Sequence, residues 1–254
     1  MGLTAGEQLT VRDLLYGLLL PSGNDAAVAL AEHVAGNEEA FVVLMNATAA
    51  DLGLENTHFT SPHGLGSPDE TASAADLTAL ARRALADPVF SEIVATTEAS
   101  VSGRELKNTN QLLGSFAGAD GVKTGTTDEA GECLVASATR DGHRELVVLL
   151  GSQDRYGEAS ALLNWANSAW QWRSVELPDD ALAWEISAAG QRYRLRTAES
   201  QDAFLPTWQW PLAHLDRILD RTVPLTSTSP VGTLTLSLSD SPLMQLPLDV
   251  WTNP

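Results

Sequence analysis

The chain has 254 residues, 44% of them apolar and 19% charged, which excludes a disordered polymer and allows one sizeable core or a core plus a small second domain. Thirty-three acids against fifteen Lys+Arg give a formal net charge of −18; this excludes the basic footprint of a nucleic-acid binder and argues against an anionic membrane surface as partner. One cysteine, Cys133, excludes an internal disulfide and a thiolate metal cluster, and the longest apolar runs fall far short of a membrane span.

The opening MGLTAGEQLT shows neither a basic n-region nor a long apolar run, so no signal peptide is read in it. Residues 10–20 predict a helix capped by Thr10, with Leu14, Leu15 and Leu18 on one face, broken at Pro21. Asn24 or Asp25 starts a second helix that stops at Gly36. Asn37 caps a third, whose apolar set is Phe41, Val42, Leu44, Met45 and Leu52, closed by Gly53. The Ala-rich faces of these helices predict close packing. The Pro/Gly/His segment NTHFTSPHGLGSPDE predicts a long loop, functional or disordered. Ser73 and Asp76 resemble a capping box for a helix ending near Asp87-Pro88.

Residues 99–113 predict a strand and turn, and 114–121 a loop. GECLVASAT, an Asp-Gly turn at 141–142 and HRELVVLLG predict an antiparallel hairpin in the middle of a sheet. Asp154 then begins a helix with Ala159, Leu162, Leu163, Trp165 and Ala166 as its buried face. Composition shifts near residue 175. All seven tryptophans lie at or after Trp165, where they are expected as core and domain-interface residues, and the runs WEISAAGQRYRLR and GTLTLSLSD alternate as strands do. This gives a domain over 1–174 and a small β-rich domain over 175–254, whose Pro-rich end SPLMQLPLDVWTNP shows no amphipathic helix.

Two clusters could carry chemistry. Ser22-Gly23-Asn24 sits at a helix–helix junction, and Gly121-Val122-Lys123-Thr124-Gly125-Thr126 precedes a strand. A Lys-Thr-Gly on a sheet strand lets Lys123 set a positive charge beside a pocket, and Thr124 adds a hydroxyl for a carboxylate. Gly125 allows close approach to the backbone, and N–H groups near Thr126 could hold an oxyanion. Ser22 and Asn24 would form the opposite wall. GVKTGTT is not a phosphate loop, and His58 and His63 lack the helical zinc spacing, so no metal or cofactor is expected. Cys133 is expected as a buried small hydrophobe.

The order and separation of these clusters, with LLYGLLLPSGNDAAVALAEHVAG, FVVLMNATAADLGLENTHFTSPHGL and the run from Asn108-Thr109-Asn110 through GVKTGTTDEAGECLVASATRDG, resemble the serine D-alanyl-D-alanine carboxypeptidases, the low-molecular-mass penicillin-binding proteins. The resemblance covers residues 8–165. It implies an α/β (α+β) penicillin-binding-protein/β-lactamase-like domain with an antiparallel sheet and helices, followed by a small accessory domain. It implies removal of the terminal D-alanine of peptidoglycan stem peptides through an acyl-enzyme, β-lactams as ligands of the complete enzyme, and a periplasmic or extracytoplasmic place for the complete protein. By motif match, Ser22, Asn24 and Lys123 are the catalytic candidates, and Lys123, Thr124, Gly125 and Thr126 bind substrate. Relatives often end in a membrane-associating helix; none is read here, which speaks against anchoring.

One element of the pattern is absent. The family's Ser-x-x-Lys supplies nucleophile and base, but Asp120 stands three before Lys123 and Arg104 three before Lys107, the only two lysines. The expectation is a chain that is N-terminally incomplete and inactive as it stands, with no unused base beside Ser22 to make it a substitute nucleophile. Its rivals are a non-catalytic cell-wall-binding or regulatory homologue and a serine β-lactamase.

Overall fold

The structure, a computed structural model, describes residues 1–65 and 68–251. It forms two compact units that divide at Asn164/Trp165, inside a helix, whereas composition alone places the boundary at 174/175. In the first unit, α1 (Val11–Leu19) opens on Thr10, whose Oγ1 accepts from the Asp13 N–H while the Asp13 carboxylate accepts from the Thr10 N–H, both at 3.1 Å. Such reciprocal caps satisfy two donors that helix geometry leaves open. Thr10→Ala is therefore expected to lower stability by about 1 kcal/mol, read as a lower urea midpoint at unchanged slope.

After α1 the chain reverses through Pro21-Ser22-Gly23. The Gly23 N–H donates to Gly17 O at 3.0 Å, and a Cβ on Gly23 would stand 2.8 Å from that same oxygen, so only glycine fits the turn. α2 (Asn24–Ala35) follows and closes at Gly36, left-handed at φ 87°. Asp25 accepts from the N–H groups of Gly2, Leu3 and Ala26 and from the Met1 amino group. Burial alone would raise its pKa, but these donors outweigh it and hold the carboxyl down to about 2.

α3 (Glu38–Asp51) is capped by Asn37 as expected, yet only Ala49 is buried on it. Leu44 (47% exposed) and Leu52 (37%) face outward, so the apolar set read from the sequence is not a core stripe. Those residues are apolar on several sides of the helix, and periodicity cannot say which side is covered. The loop after α3 is pinned. His58 and Thr71 exchange backbone hydrogen bonds at 2.8 and 2.9 Å, and the Asn46 amide brackets Phe59. Residues 66 and 67 of this loop lie outside the described residues.

α4 (Ala74–Leu85) takes its cap from Ser73, but the Asp76 carboxylate does not return the bond to complete a box. It accepts from the Asn56 N–H and the Thr57 hydroxyl, both at 2.8 Å, and ties the loop to the helix. α5 (Pro88–Val94) and the hairpin β1 (Glu98–Val101) and β2 (Arg104–Lys107) lead to the sheet. β3 (Ala119–Thr127), β4 (Gly131–Arg140) and β5 (His143–Ser152) pair antiparallel in that order. The predicted hairpin is β4–β5, with Asp141 and Gly142 both at positive φ as its tight turn requires. Only β4 is central; β5 is an edge strand among the described residues, a correction to the mid-sheet reading.

α6 (Arg155–Ala169) buries Ala159 and Leu163 against Leu134, Ala136 and Ala138 of β4. Leu162 and Trp165, expected in that face, are 42% and 59% exposed. On the other side Ile93 and Val94 of α5 pack with Leu20 and Val122, which sets the end of α1 beside β3. No described helix is long and apolar enough to cross a membrane.

The second unit contains a ribbon of β6 (Trp170–Val175) with β9 (Gln201–Pro206), and a five-stranded antiparallel sheet. The sheet joins β7 (Trp184–Ile186), β8 (Arg192–Thr197), β10 (Ala213–Leu219), β11 (Gly232–Leu238) and β12 (Ser241–Val250) in the order β10-β11-β12-β8-β7. The Pro-rich end is thus a ten-residue strand, with residues 252–254 outside the described residues. The tryptophans are not core residues. Trp165, Trp172, Trp184 and Trp208 are exposed and the other three half-buried. Leu234, Leu236, Leu246 and Leu248 fill the interior instead, while Trp170 and Trp172 stack on Phe204, and Trp210, Trp184 and Trp251 lie under Arg173, Arg192 and Arg194.

Candidate active site

The two sequence clusters meet. The turn after α1 and the strand β3 stand side by side, and Lys123 Nζ donates to Ser22 Oγ at 2.6 Å across 101 residues of sequence. Nζ also donates to Thr124 O at 2.7 Å. Ser22 is exposed and held at φ 59°, a conformation rare for serine. Asn24 is exposed on the first turn of α2. Lys123 is half-buried, and that desolvation, with the nearby Arg155 charge second, lowers its pKa from 10.5 to about 8.

Thr124 is buried, and its hydroxyl shares a 2.6 Å hydrogen bond with Thr109 Oγ1. Thr109 in turn donates its N–H to Leu20 O at 3.1 Å, so it joins the last residue of the α1 turn to β3. Gly125 and Thr126 are exposed on the outer strand of the sheet. A Cβ on Gly125 would touch only Cys133 Cβ, at 3.8 Å. Cys133 lies opposite Gly125 on β4 and is half-buried rather than buried, because this end of the strand is open.

Three neighbours were not legible as site residues. Arg155, at the start of α6, donates through Nη1 to Gly125 O at 3.0 Å and to Thr126 Oγ1 at 2.9 Å. Its side chain is only 14% exposed, and Glu132 Oε2 stands 3.8 Å from its Nε. Tyr156 donates its hydroxyl to Thr109 O at 2.7 Å, beside the Arg155 guanidinium that lies 5.1 Å from its ring. Thr109 lies in the Asn-Thr-Asn run that contributed to the family resemblance, but a threonine in a polar turn carries no signal of its own. Arg155 reads only as a polar residue in a helix start.

The result is a pair of cations, Lys123 and Arg155, held together in a chain of net charge −18. The Ser22 hydroxyl accepts from Lys123 and the Thr126 hydroxyl from Arg155. Such a grouping can bind a carboxylate and can move a proton between Ser22 Oγ and Lys123 Nζ.

A family model described as D-alanyl-D-alanine carboxypeptidase matches residues 1–154. The D-alanyl-D-alanine carboxypeptidase DacC of Escherichia coli is 35% identical over 264 residues, covering 100% of this chain and 66% of the relative. DacF of Bacillus subtilis is 38% identical over 177 residues, covering 66% of this chain and 46% of the relative. Among solved structures, penicillin binding protein 6B from Escherichia coli superposes with a TM-score of 0.74 at 32% identity, over 97% of this chain and 71% of the other. The chain thus spans two thirds or less of these curated relatives. Its α/β fold with antiparallel sheets and its β-rich C-terminal unit match the penicillin-binding-protein superfamily. On the match over more than half its length, the chain belongs to the D-alanyl-D-alanine carboxypeptidase family.

Proposed function

We infer that this site recognises the C-terminal carboxylate of peptidoglycan stem peptides ending in D-Ala-D-Ala, the recognition half of a serine carboxypeptidase centre. The observation that carries the reading is the Lys123–Arg155 pair with the Thr126 hydroxyl under it. Burial, with the Arg155 charge second, depresses Lys123, and an incoming carboxylate would relieve that cost. Thr126 turns its hydroxyl from Gly125 O to the ligand, and Thr124 braces the strand through Thr109. The open face of Gly125 lets the peptide lie against β3, where the Thr126 N–H would face a developing oxyanion. Ser22 and Asn24 form the opposite wall, with Ser22 and Lys123 as the proton path. Such a substrate would put the complete protein outside the cytoplasm, with β-lactams as ligands of the same site. The second unit would be an accessory domain.

No serine in the 254 residues stands three before a lysine, so this chain is expected to bind the peptide without releasing D-alanine. The test is a calorimetric titration with an N-acylated peptide ending in D-Ala-D-Ala and with its C-terminal amide, alongside an assay for free D-alanine. Saturable binding of the acid, loss of binding by the amide and no D-alanine are expected. Equal binding of acid and amide, or binding of neither, would overturn the carboxylate reading; D-alanine release would overturn the inactivity. Binding should also weaken as pH rises through about 8, because Lys123 then loses its charge.

A further inference from the structure

The sequence of β8, Arg-Tyr-Arg-Leu-Arg-Thr, alternates with the two-residue period of a strand. Leu195 is buried, so Arg192, Arg194 and Arg196 share the opposite face. Arg194 does not swing free. Its guanidinium lies 4.3 Å from the Trp251 ring and 5.9 Å from the Trp184 ring, and its Nη2 meets Asp179 Oδ1 at 2.8 Å. The Trp251 N–H donates to Arg194 O at 2.7 Å, which holds the indole beside the strand. A guanidinium stacked on an indole keeps its in-plane N–H donors for a ligand.

Beside Arg194 is a cavity of about 310 Å³, large enough for a small molecule. Its walls carry both signs of charge, Glu176 and Asp179 against Arg194 and Arg196, with Leu177 and the Trp251 ring as apolar surface. Asp179 and Arg194 answer each other. Glu176 and Arg196 do not. Both are exposed, both line the cavity, and among the described residues no ion pair holds either. Asp249 stands opposite Arg196 in the β12 register without pairing with it. Opposite charges that line one cavity and leave each other unneutralised complement a molecule that carries both charges itself. An ion of one sign would gain one wall and be repelled by the other. We propose that this cavity binds a free α-amino acid in its zwitterionic form. Its carboxylate accepts from the Arg194 and Arg196 guanidiniums, which stand about 7 Å apart along the strand at their backbone, and its ammonium donates to Glu176 and Asp179. A side chain of the size of leucine then covers Leu177 and the Trp251 ring. The site belongs to the second unit alone and does not rest on the carboxylate reading of the first.

The folded 254-residue chain is titrated calorimetrically with leucine, as each enantiomer, and with leucinamide, which lacks the carboxylate, and isocaproate, which lacks the ammonium. Expected is saturable binding of at least one leucine enantiomer at about millimolar or tighter, and binding about tenfold weaker or less for each of the other two probes. Arg196→Gln and Glu176→Gln each remove one charge at an exposed position. Each should weaken leucine by about tenfold, the worth of a hydrogen bond to a charged group, with circular dichroism unchanged. Arg155→Leu should leave leucine binding as it is, and Arg196→Gln should leave binding of the N-acylated D-Ala-D-Ala peptide as it is. Leucine binding lost in Arg155→Leu and kept in Arg196→Gln would belong to the first unit and overturn the proposal. So would isocaproate binding as tightly as leucine, which marks a plain anion site, or no saturable binding of either enantiomer. Leucine binding that persists while the D-Ala-D-Ala peptide fails to bind would leave this site standing and overturn the carboxylate reading of the other.

Discussion

Arg155→Leu is expected to weaken binding of an N-acylated D-Ala-D-Ala peptide by about tenfold to a hundredfold, the worth of a hydrogen bond to a charged group. The guanidinium touches both the strand backbone and the hydroxyl that meets the ligand, through Gly125 O and Thr126 Oγ1. Removing it takes away a cation and also the second cause of the depressed Lys123 pKa. Lys123 should therefore stay protonated to higher pH, and the pH at which binding weakens should move up. A merely structural arginine would lower stability and leave that midpoint unchanged. Calorimetric titrations over roughly two pH units either side of the Lys123 value separate the two.

Gly118→Ala should be the most damaging single-methyl change in the first unit, at about 3 kcal/mol or more. Gly118 stands at φ 82° just before β3, and a Cβ there would lie 2.5 Å from Thr139 O and 3.2 Å from Thr139 C. Its own carbonyl accepts from the Thr139 N–H at 2.9 Å, so this point fixes where β3 meets the end of β4. Gly114→Ala is the control. It has the same sign of φ, 78°, with nothing within 4 Å of a Cβ, and should cost only about 1–2 kcal/mol. Urea unfolding of both variants reads the difference; equal midpoints would mean that the backbone at Thr139 yields freely.

The parts of the fold written in consecutive residues were legible. Thr10, Asn37 and the Asp141-Gly142 turn each act through neighbours a few positions away, and all three do what local chemistry dictates. The Ser-Gly-Asn and Lys-Thr-Gly clusters were legible as motifs and expected on opposite walls of one pocket, but the direct 2.6 Å contact was not, because it depends on Leu20, Ile93, Val94 and Val122 packing the α1 turn onto β3. Arg155 enters the site from a helix thirty residues beyond Gly125, with nothing in its own segment to mark it. The tryptophans misled for a different reason. Large rings suit an interior, but in a small unit filled by leucines four of the seven are exposed, and Trp184 and Trp251 lie against arginines. On α3 the apolar residues were legible as helical, but which of them are covered was not, since exposure there is set by what packs against the helix.

The most direct test of the carboxylate-reading cleft is the ionisation of Lys123 itself. The chain has two lysines, so lysine labelled with carbon-13 at Cε gives two resonances in NMR, and Lys123→Arg assigns the one that belongs to Lys123. Lys123 is expected to titrate near pH 8 in the free chain, and markedly higher when the D-Ala-D-Ala acid is bound, while the C-terminal amide moves nothing. A Lys123 that titrates near the ordinary lysine value of about 10.4, or that ignores the peptide's carboxylate, would contradict the account.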